Sequence, residues 1–316
     1  MTRLRLTLLA AALAALAAGA ACNRGADAAK PVVALVPKTM NNPFFVDMVQ
    51  GARAAADSLG LTLVVEAPER EIDPNAQTQI VENLVQRGVA VLAIVPNGSR
   101  EIVPAVVRAN KAKIPVVNVD TRLDTAALRE AGGTVATFIG SDNVDGGRLA
   151  GKFLAEQLGG RGDVAVLEGV PGHETSDSRL RGFREAVAQF PNVKIVSSQP
   201  ANMERDQAFT VTQNTLQAHP TVRGVFAAND VMALGALEAI TAARKSPPPV
   251  VVGFDAQADA RVAIRDGRMA ASIAQHPADM GRRAVESAWK LLHQQPVPAE
   301  QPVAIELVTK ANAGSP

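Results

Sequence analysis

Polar side chains that can bind hydroxyl groups stand at the ends of several apolar segments. PVVNVD ends in Asp120, VFAAND in Asn229 and Asp230, VVVGFD in Asp255, and MAASIAQ in Gln275. A carboxylate can accept hydrogen bonds from two neighbouring hydroxyls, and a carboxamide both donates and accepts. Together, these groups favour a neutral, polyhydroxylated ligand.

Aromatic and cationic side chains that could contact the same ligand come from elsewhere in the chain. The stretch TMNNPFFVDM contains Asn42, Phe44 and Phe45, although only 3% of the residues are aromatic. Asn42 is predicted to cap a helix that begins at Pro43. We expect Phe45 to anchor that helix in the core and Phe44 to form an apolar wall against a sugar ring. Arg179 begins a later helix, and its guanidinium fork can donate to two oxygens.

Each of these features also has an ordinary structural explanation. An aspartate at a strand end is more often the N-cap of the next helix, and a single arginine at a helix start is more often a surface residue. Phe44 could simply close the bottom of a groove. The interpretation as a site therefore depends on compatible groups occurring together at many strand ends, because ligands of doubly wound sheets bind there.

The segments that carry these residues indicate an α/β fold. From Lys30 onward, β-branched apolar segments of roughly seven residues alternate with amphipathic stretches of roughly 12–18 residues, as in parallel sheets covered on both faces. Two α/β lobes of about five or six strands each fit this length, with a boundary near residues 139–142. One continuous, unusually wide sheet is the alternative.

Composition and motifs argue against several functional classes. The 32 basic and 31 acidic residues give a net charge of +1, so the chain has no excess of positive charge to attract nucleic acid. There is no phosphate-binding glycine motif, and the four histidines lack metal-ligand spacing, so we expect no cofactor, no metal and no enzyme. A sugar-responsive repressor would need a helix-turn-helix where this chain has an export signal.

The first 30 residues differ in character from the rest. A short basic start and an apolar run predict a signal peptide over residues 1–22, followed by a polar tether over residues 23–30. The only cysteine, Cys22, resembles the acceptor cysteine of bacterial lipoproteins, with Ala20 and Ala21 before it. Gly19 stands where that motif usually has leucine. Lipid attachment through Cys22 is expected, and simple signal cleavage is the alternative.

Longer stretches of the chain resemble one known family. These are LVPKTMNNPFFVDMVQGARAAADSLG, IGSDNVDGGRLAGKFLAEQLGG, SRLRGF, HPTVRGVFAANDVMALGALEAI, VVGFD and MAASIAQHPADMG. In order and with few gaps, they resemble the bacterial ribose-binding protein family. Its members are soluble receptors of sugar importers of the ATP-binding-cassette (ABC) type, and allose-binding proteins are close relatives.

The resemblance implies the type I periplasmic-binding-protein fold, in which two Rossmann-like lobes with parallel sheets are joined by a three-strand hinge. The N-terminal lobe would comprise residues 30–140 plus 276–304. The C-terminal lobe would comprise residues 141–275 plus 305–311. A monosaccharide would be bound between them.

The resemblance also implies individual roles. Phe44 would stack on the sugar ring, Asp120 would accept from ring hydroxyls, and Arg179 would donate from the second lobe. The remaining ligand-binding positions would be Asn42, Phe45, Thr121, Met203, Asn229, Asp255 and Gln275. Two of these depart from the ribose-binding pattern: Thr121 replaces an arginine, and Met203 replaces an aromatic ring. The departures leave the particular sugar open.

The expected function is that of an exported substrate-binding protein of an ABC sugar importer, which closes on a pentose or hexose by hinge motion. Its partners would be the permease subunits. Whether a chemoreceptor is also a partner is left open by the sequence. We expect a monomer in the periplasm or cell envelope, lipid-anchored through Cys22. The alternative is an exported receptor for a cyclic polyol or a furanose signalling ligand.

Overall fold

The structure is a computed structural model that describes residues 30–314. From Val32 onward, twelve strands among these residues form two six-stranded sheets within one compact unit. The first sheet is parallel throughout, with strand order β11-β5-β4-β3-β1-β2. Its strands are β1 (Val32–Val36), β2 (Thr62–Val65), β3 (Val91–Ile94), β4 (Val116–Val119), β5 (Thr137–Ser141) and β11 (Glu300–Val303).

The second sheet has the order β12-β10-β9-β8-β6-β7 and is parallel except for its last strand. That strand, β12, pairs antiparallel with β10. The strands are β6 (Arg161–Glu168), β7 (Asn192–Pro200), β8 (Val222–Ala227), β9 (Val250–Asp255), β10 (Ala271–Ala274) and β12 (Glu306–Thr309). The prediction of two α/β lobes with parallel sheets is confirmed.

Helices cover both faces of each sheet, as the continuous apolar strands require. In the first half of the chain they are α1 (Pro43–Leu59), α2 (Pro74–Gln86), α3 (Val103–Lys111) and α4 (Thr125–Glu130). The others are α5 (Asn143–Gln157), α6 (Glu174–Val187), α7 (Arg205–Ala218), α8 (Asp230–Ala242), α9 (Ala258–Arg265) and α10 (Pro277–Leu292). No helix among the described residues is both long and apolar enough to cross a bilayer.

The chain passes between the two sheets at three places. It leaves β5 for α5, whose Ala150 and Leu154 pack in the core of the second sheet. It returns from β10 to α10, whose Met280 and Val285 pack against the first sheet. It crosses again from β11 to β12. The exact division into lobes that we predicted from the sequence is not tested by this arrangement and stays a prediction.

Helix α1 shows how the sequence positions the site. Asn42 caps it as predicted, since Asn42 Oδ1 accepts a hydrogen bond from Phe44 N at 3.0 Å. Both Phe44 and Phe45 are buried in the same apolar cluster, with ring centroids 5.2 Å apart at 88°. At Gly281 of α10 a β-carbon would lie 1.9 Å from the Met48 carbonyl oxygen, so only glycine lets α1 and α10 cross this closely.

Candidate functional site

The carboxyl ends of both sheets contribute to one narrow cavity. Eight of the ten ligand-binding residues predicted from the sequence line it: Asn42, Phe44, Phe45, Asp120, Arg179, Met203, Asn229 and Asp255. Lys38, Glu71 and Thr175 complete the lining.

Asp120 is held in an unusual backbone conformation directly after β4. Its φ is 59°, and Thr121 N donates to the Val119 carbonyl at 2.7 Å, which closes a γ-turn. Thr121 does not line the cavity; its hydroxyl donates to Asp120 Oδ2 at 3.1 Å. Asp120 Oδ1 is buried without a hydrogen-bond partner among the described residues. One carboxylate oxygen is therefore fixed, and the other is left for a ligand.

Arg179 is oriented by contacts on three sides. Its Nε donates to Asn143 Oδ1 at 2.8 Å, and its Nη1 donates to the Ala228 carbonyl at 2.7 Å. The guanidinium carbon lies 3.9 Å from the centroid of the Phe254 ring. Only 4% of the residue is exposed. The Nη2 group makes no hydrogen bond within residues 30–314, so the arrangement presents donors in a fixed direction.

Asp255 lies opposite Arg179 at the end of β9, with Nη1 and Oδ1 3.6 Å apart. Gln275 lies behind it and donates from Nε2 to Asp255 Oδ1 at 2.9 Å. Burial raises the pKa of Asp255 to about 7, against the lowering effects of Arg179 and Gln275; nearby Asp120 and Glu71 add to the rise. The carboxyl group is therefore costly to ionise as long as the fold alone supplies its partners.

Three of the eight buried side-chain polar atoms that lack a hydrogen-bond partner among the described residues belong to predicted positions. Asn229 caps α8 through its Oδ1, which accepts from Met232 N at 2.9 Å, and its Nδ2 is buried without a partner. Gln275 Oε1 and Asp120 Oδ1 are likewise buried without a hydrogen-bond partner in the described part of the chain. An unpaired buried polar group costs about 1–3 kcal/mol. These atoms are thus suited to a ligand that both donates and accepts hydrogen bonds.

Sequence reasoning missed Lys38, Glu71 and Thr175. Lys38 and Glu71 are both buried, with Lys38 Nζ 4.0 Å from Glu71 Oε2. Glu71 Oε1 accepts from Asn42 Nδ2 at 3.2 Å, and burial raises the pKa of Glu71 although Lys38 opposes the rise. Glu71 lies in the loop several residues beyond β2, so a rule that considers the residues directly after a strand does not reach it. We see no local pattern that marks Thr175.

Among residues 30–314, no group of three or more histidine, cysteine, aspartate or glutamate side chains is arranged to hold a metal ion. Arg122, the residue beside Thr121, also faces away from the cavity. It forms two hydrogen bonds with Glu300, at 2.8 and 2.9 Å, and its guanidinium lies over the Phe138 ring. It therefore does not take the role of the arginine that the ribose-binding pattern has at Thr121.

Comparison with known proteins places this fold and site in a class. The family model described as "Periplasmic binding protein domain" matches residues 33–296. The chain belongs to the periplasmic binding protein family. Within it, the chain belongs to the ribose- and allose-binding type, whose members are sugar-binding proteins of ABC importers.

Individual relatives support this assignment. The ribose import binding protein of Salmonella typhimurium strain LT2 is 43% identical over 282 residues, which cover 89% of this chain and 92% of that protein. The D-allose-binding periplasmic protein of Escherichia coli strain K12 is 38% identical over 78% of this chain and 80% of its own. A solute-binding protein from Actinobacillus succinogenes 130z with bound D-allose superposes with a TM-score of 0.84, at 37% identity over 90% of this chain and 99% of that one.

The raised pKa of Asp255 predicts a pH dependence of stability. A carboxyl group whose pKa is about 7 when folded and about 3.9 when unfolded favours the folded state below pH 4. This contribution is lost as the pH rises from 4 through 7. In Asp255→Asn the ligand-free melting temperature should therefore fall less between pH 4 and pH 8 than it does in the wild type. Thermal unfolding followed by circular dichroism measures this, with exposed Asp47→Asn as the control. An identical pH profile in Asp255→Asn and wild type would contradict it.

Proposed function

We propose that this chain binds a neutral monosaccharide, a pentose or a hexose, in the cavity between its sheets and delivers it to an ABC permease. One observation carries the assignment to this particular cavity. Donors, acceptors and phenyl faces surround a small space, and two of its buried polar atoms, Asp120 Oδ1 and Asn229 Nδ2, have no partner in the described chain. The relatives named for ribose and allose support it.

The cavity's charge favours a neutral sugar over a sugar acid. Its lining contains two basic side chains, Lys38 and Arg179, and three acidic ones, Glu71, Asp120 and Asp255. Ionising Asp255 and Glu71 is already costly in this buried site, and an additional anion beside them would raise that cost further. Hydroxyl groups instead satisfy carboxylates and guanidinium alike.

The proposed roles follow the geometry. Phe44 and Phe45 cover one face of the sugar ring, and Met203 covers the other with a flexible apolar side chain. Asp120 and Asp255 accept from hydroxyls, while Arg179 and Asn229 donate. Thr121 and Gln275 hold the two carboxylates in place, and Asn42 completes the wall.

We also propose that the two lobes move about the three chain crossings, with residues 30–140 plus 276–304 in one lobe and 141–275 plus 305–311 in the other. Asp120 follows β4 of the first sheet, whereas Arg179 lies on α6, which packs against the second sheet, so a sugar completes all its hydrogen bonds only when the lobes are closed. Because the ligand makes more contacts in the closed form, its binding shifts the hinge equilibrium toward closure.

The proposed role includes no catalysis. Among the described lining residues, Thr175 bears the one hydroxyl group, and there is neither histidine nor cysteine. The lining therefore lacks the serine–histidine or cysteine–histidine pair of many hydrolases, and its carboxyl groups are proposed to bind hydroxyls.

We propose that the protein acts as a monomer in the periplasm and is anchored by lipid on Cys22, a residue outside the described part of the chain. The docking partner would be the membrane subunits of the permease. A chemoreceptor would be a second partner of the same closed form. The periplasmic location is that of the family.

Replacing Arg179 tests the sugar site. A thermal-shift screen over pentoses, hexoses, keto-sugars and inositols identifies the ligand, and calorimetry then measures its affinity. Arg179→Ala should weaken binding about a hundredfold or more, because charge-assisted hydrogen bonds of roughly 1.5–3 kcal/mol each are lost. Exposed Arg181→Ala, on the same helix, should bind normally. Near-normal affinity in a folded Arg179→Ala variant would remove Arg179 from the site, and a response only to inositols would replace the monosaccharide with a cyclic polyol.

Lys38 and Glu71 are proposed to bind one sugar hydroxyl between them. The 4.0 Å gap between Lys38 Nζ and Glu71 Oε2 is too wide for a hydrogen bond, and Lys38 Nζ makes none within residues 30–314. A hydroxyl oxygen placed between them accepts from the ammonium and donates to the carboxylate, each over a normal distance of about 2.7–2.9 Å. This would satisfy two buried groups at once.

A series of deoxy analogues of the identified sugar tests this pair. Lys38→Met should lower the affinity for the parent sugar about tenfold or more, since a charge-assisted hydrogen bond is lost. One deoxy analogue should bind wild type and Lys38→Met equally, because it lacks the hydroxyl in question. Exposed Lys111→Met serves as the control. An equal loss for every analogue would show that no single hydroxyl lies between Lys38 and Glu71.

Lipid attachment is tested by Cys22→Ser in the native host. The wild type should sediment with membranes and carry a lipid mass on residue 22, whereas the variant should fractionate as soluble periplasmic protein. Ala28→Ser in the tether should behave as the wild type does. A soluble wild type with an unmodified thiol would contradict the proposed anchor.

A further inference from the structure

Directly after β9, the turn Asp255–Ala256–Gln257 is braced by two side chains that do not line the cavity. Ala256 N donates to Ser272 Oγ at 2.9 Å, and Gln257 N donates to Asp230 Oδ2 at 2.8 Å. Ser272 Oγ in turn donates to Asp230 Oδ1 at 2.7 Å. Both Asp230 and Ser272 are fully buried. The turn is therefore rigid, although Asp255 has a φ of 101° and Ala256 a φ of 50°.

Gln257 is an unusual residue type for its position at the start of a helix. It is the N-cap residue of α9, a position that favours Ser, Thr, Asp or Asn, and its side chain makes no capping hydrogen bond. Instead Gln257 Nε2 donates to Asn42 Oδ1 at 2.9 Å. Because Asn42 caps α1 beside the first sheet and Gln257 follows β9 of the second, this hydrogen bond spans the cleft. A residue that goes against a local sequence preference and gains no local hydrogen bond in return is expected at a functional position.

The bond to Gln257 completes the hydrogen bonding of Asn42. Asn42 Oδ1 accepts from Phe44 N on its own helix and from Gln257 Nε2 across the cleft, and its Nδ2 donates to Glu71 Oε1. These contacts fix the orientation of the amide, which lines the cavity beside Phe44 and Glu71. A second pair that bridges the cleft, Arg70 with Glu204, is largely exposed and contributes little for that reason.

We propose that Gln257 is a positioning residue that couples lobe closure to sugar retention. One rigid turn presents Asp255 to the sugar and Gln257 to the opposite lobe. The Gln257–Asn42 bond forms only when the lobes are closed, and it then holds the wall formed by Asn42, Phe44 and Glu71 against the ligand. This inference rests on the proposed sugar binding, and it adds that escape of the sugar requires this bond to break.

The kinetics of sugar binding test the inference on the full-length protein. Gln257→Met keeps the length of the side chain but removes the donor. Its dissociation rate constant should rise about three- to tenfold, the value of one buried neutral hydrogen bond, while the association rate constant changes less than about twofold. Stopped-flow fluorescence with a competing sugar measures both constants. The ligand-free melting temperature should match the wild type, and Gln217→Met, at an exposed position on α7, should leave both constants unchanged.

Gln257→Ala provides a second variant and should behave like Gln257→Met. An unchanged dissociation rate in both variants, or a loss of affinity caused by slower association, would overturn the role of Gln257 while leaving sugar binding intact. A wild type that binds no sugar in the screen would overturn the proposed function, and with it this inference.

Discussion

The cost of placing charged groups out of water governs this site. Lys38, Glu71, Asp120, Arg179 and Asp255 surround one narrow cavity, and each is nearly inaccessible to solvent. The fold compensates only part of that cost. Arg179 has protein partners on several sides, whereas Asp255 keeps a carboxyl group that burial makes reluctant to ionise. A ligand that completes these hydrogen bonds offsets the remaining cost, so the same desolvation that strains the empty site strengthens binding.

Much of this arrangement was predictable because parallel strands bring their carboxyl ends to one edge. The apolar runs identified the strands, and the residues directly after them identified Asp120, Asn229 and Asp255. Strands β11 and β12 escaped the apolar pattern, since EQPV and ELVT are edge strands in which only Val303 and Val308 are buried. Glu71 was missed because it lies in a loop several residues beyond β2. Its approach to Lys38 and Asn42 is a property of the tertiary structure that no local spacing encodes.

Backbone conformation is the other part that the sequence did not reveal. Asp120, Met203 and Asp255 all have positive φ, which non-glycine residues rarely adopt. The residue types do not predict this, because most aspartates and methionines in proteins have negative φ. The surrounding hydrogen bonds impose the conformation: a γ-turn at Asp120, and the bonds to Ser272 and Asp230 just after Asp255. A strained backbone conformation persists where several surrounding contacts hold it in place, as they do at ligand sites.

The interleaved path of the chain also affects how the protein can be made. Phe44 and Met48 of α1 share an apolar cluster with Met280 and Val285 of α10, so this face of the first sheet is not fully covered until α10 has been synthesised. The chain's last two strands then complete one edge of each sheet. Neither sheet can therefore complete its native packing until nearly the whole chain exists, and the nascent chain exposes apolar surface until then. Such a chain is vulnerable to aggregation during this interval, yet remains suited to threading through a secretion channel before it folds.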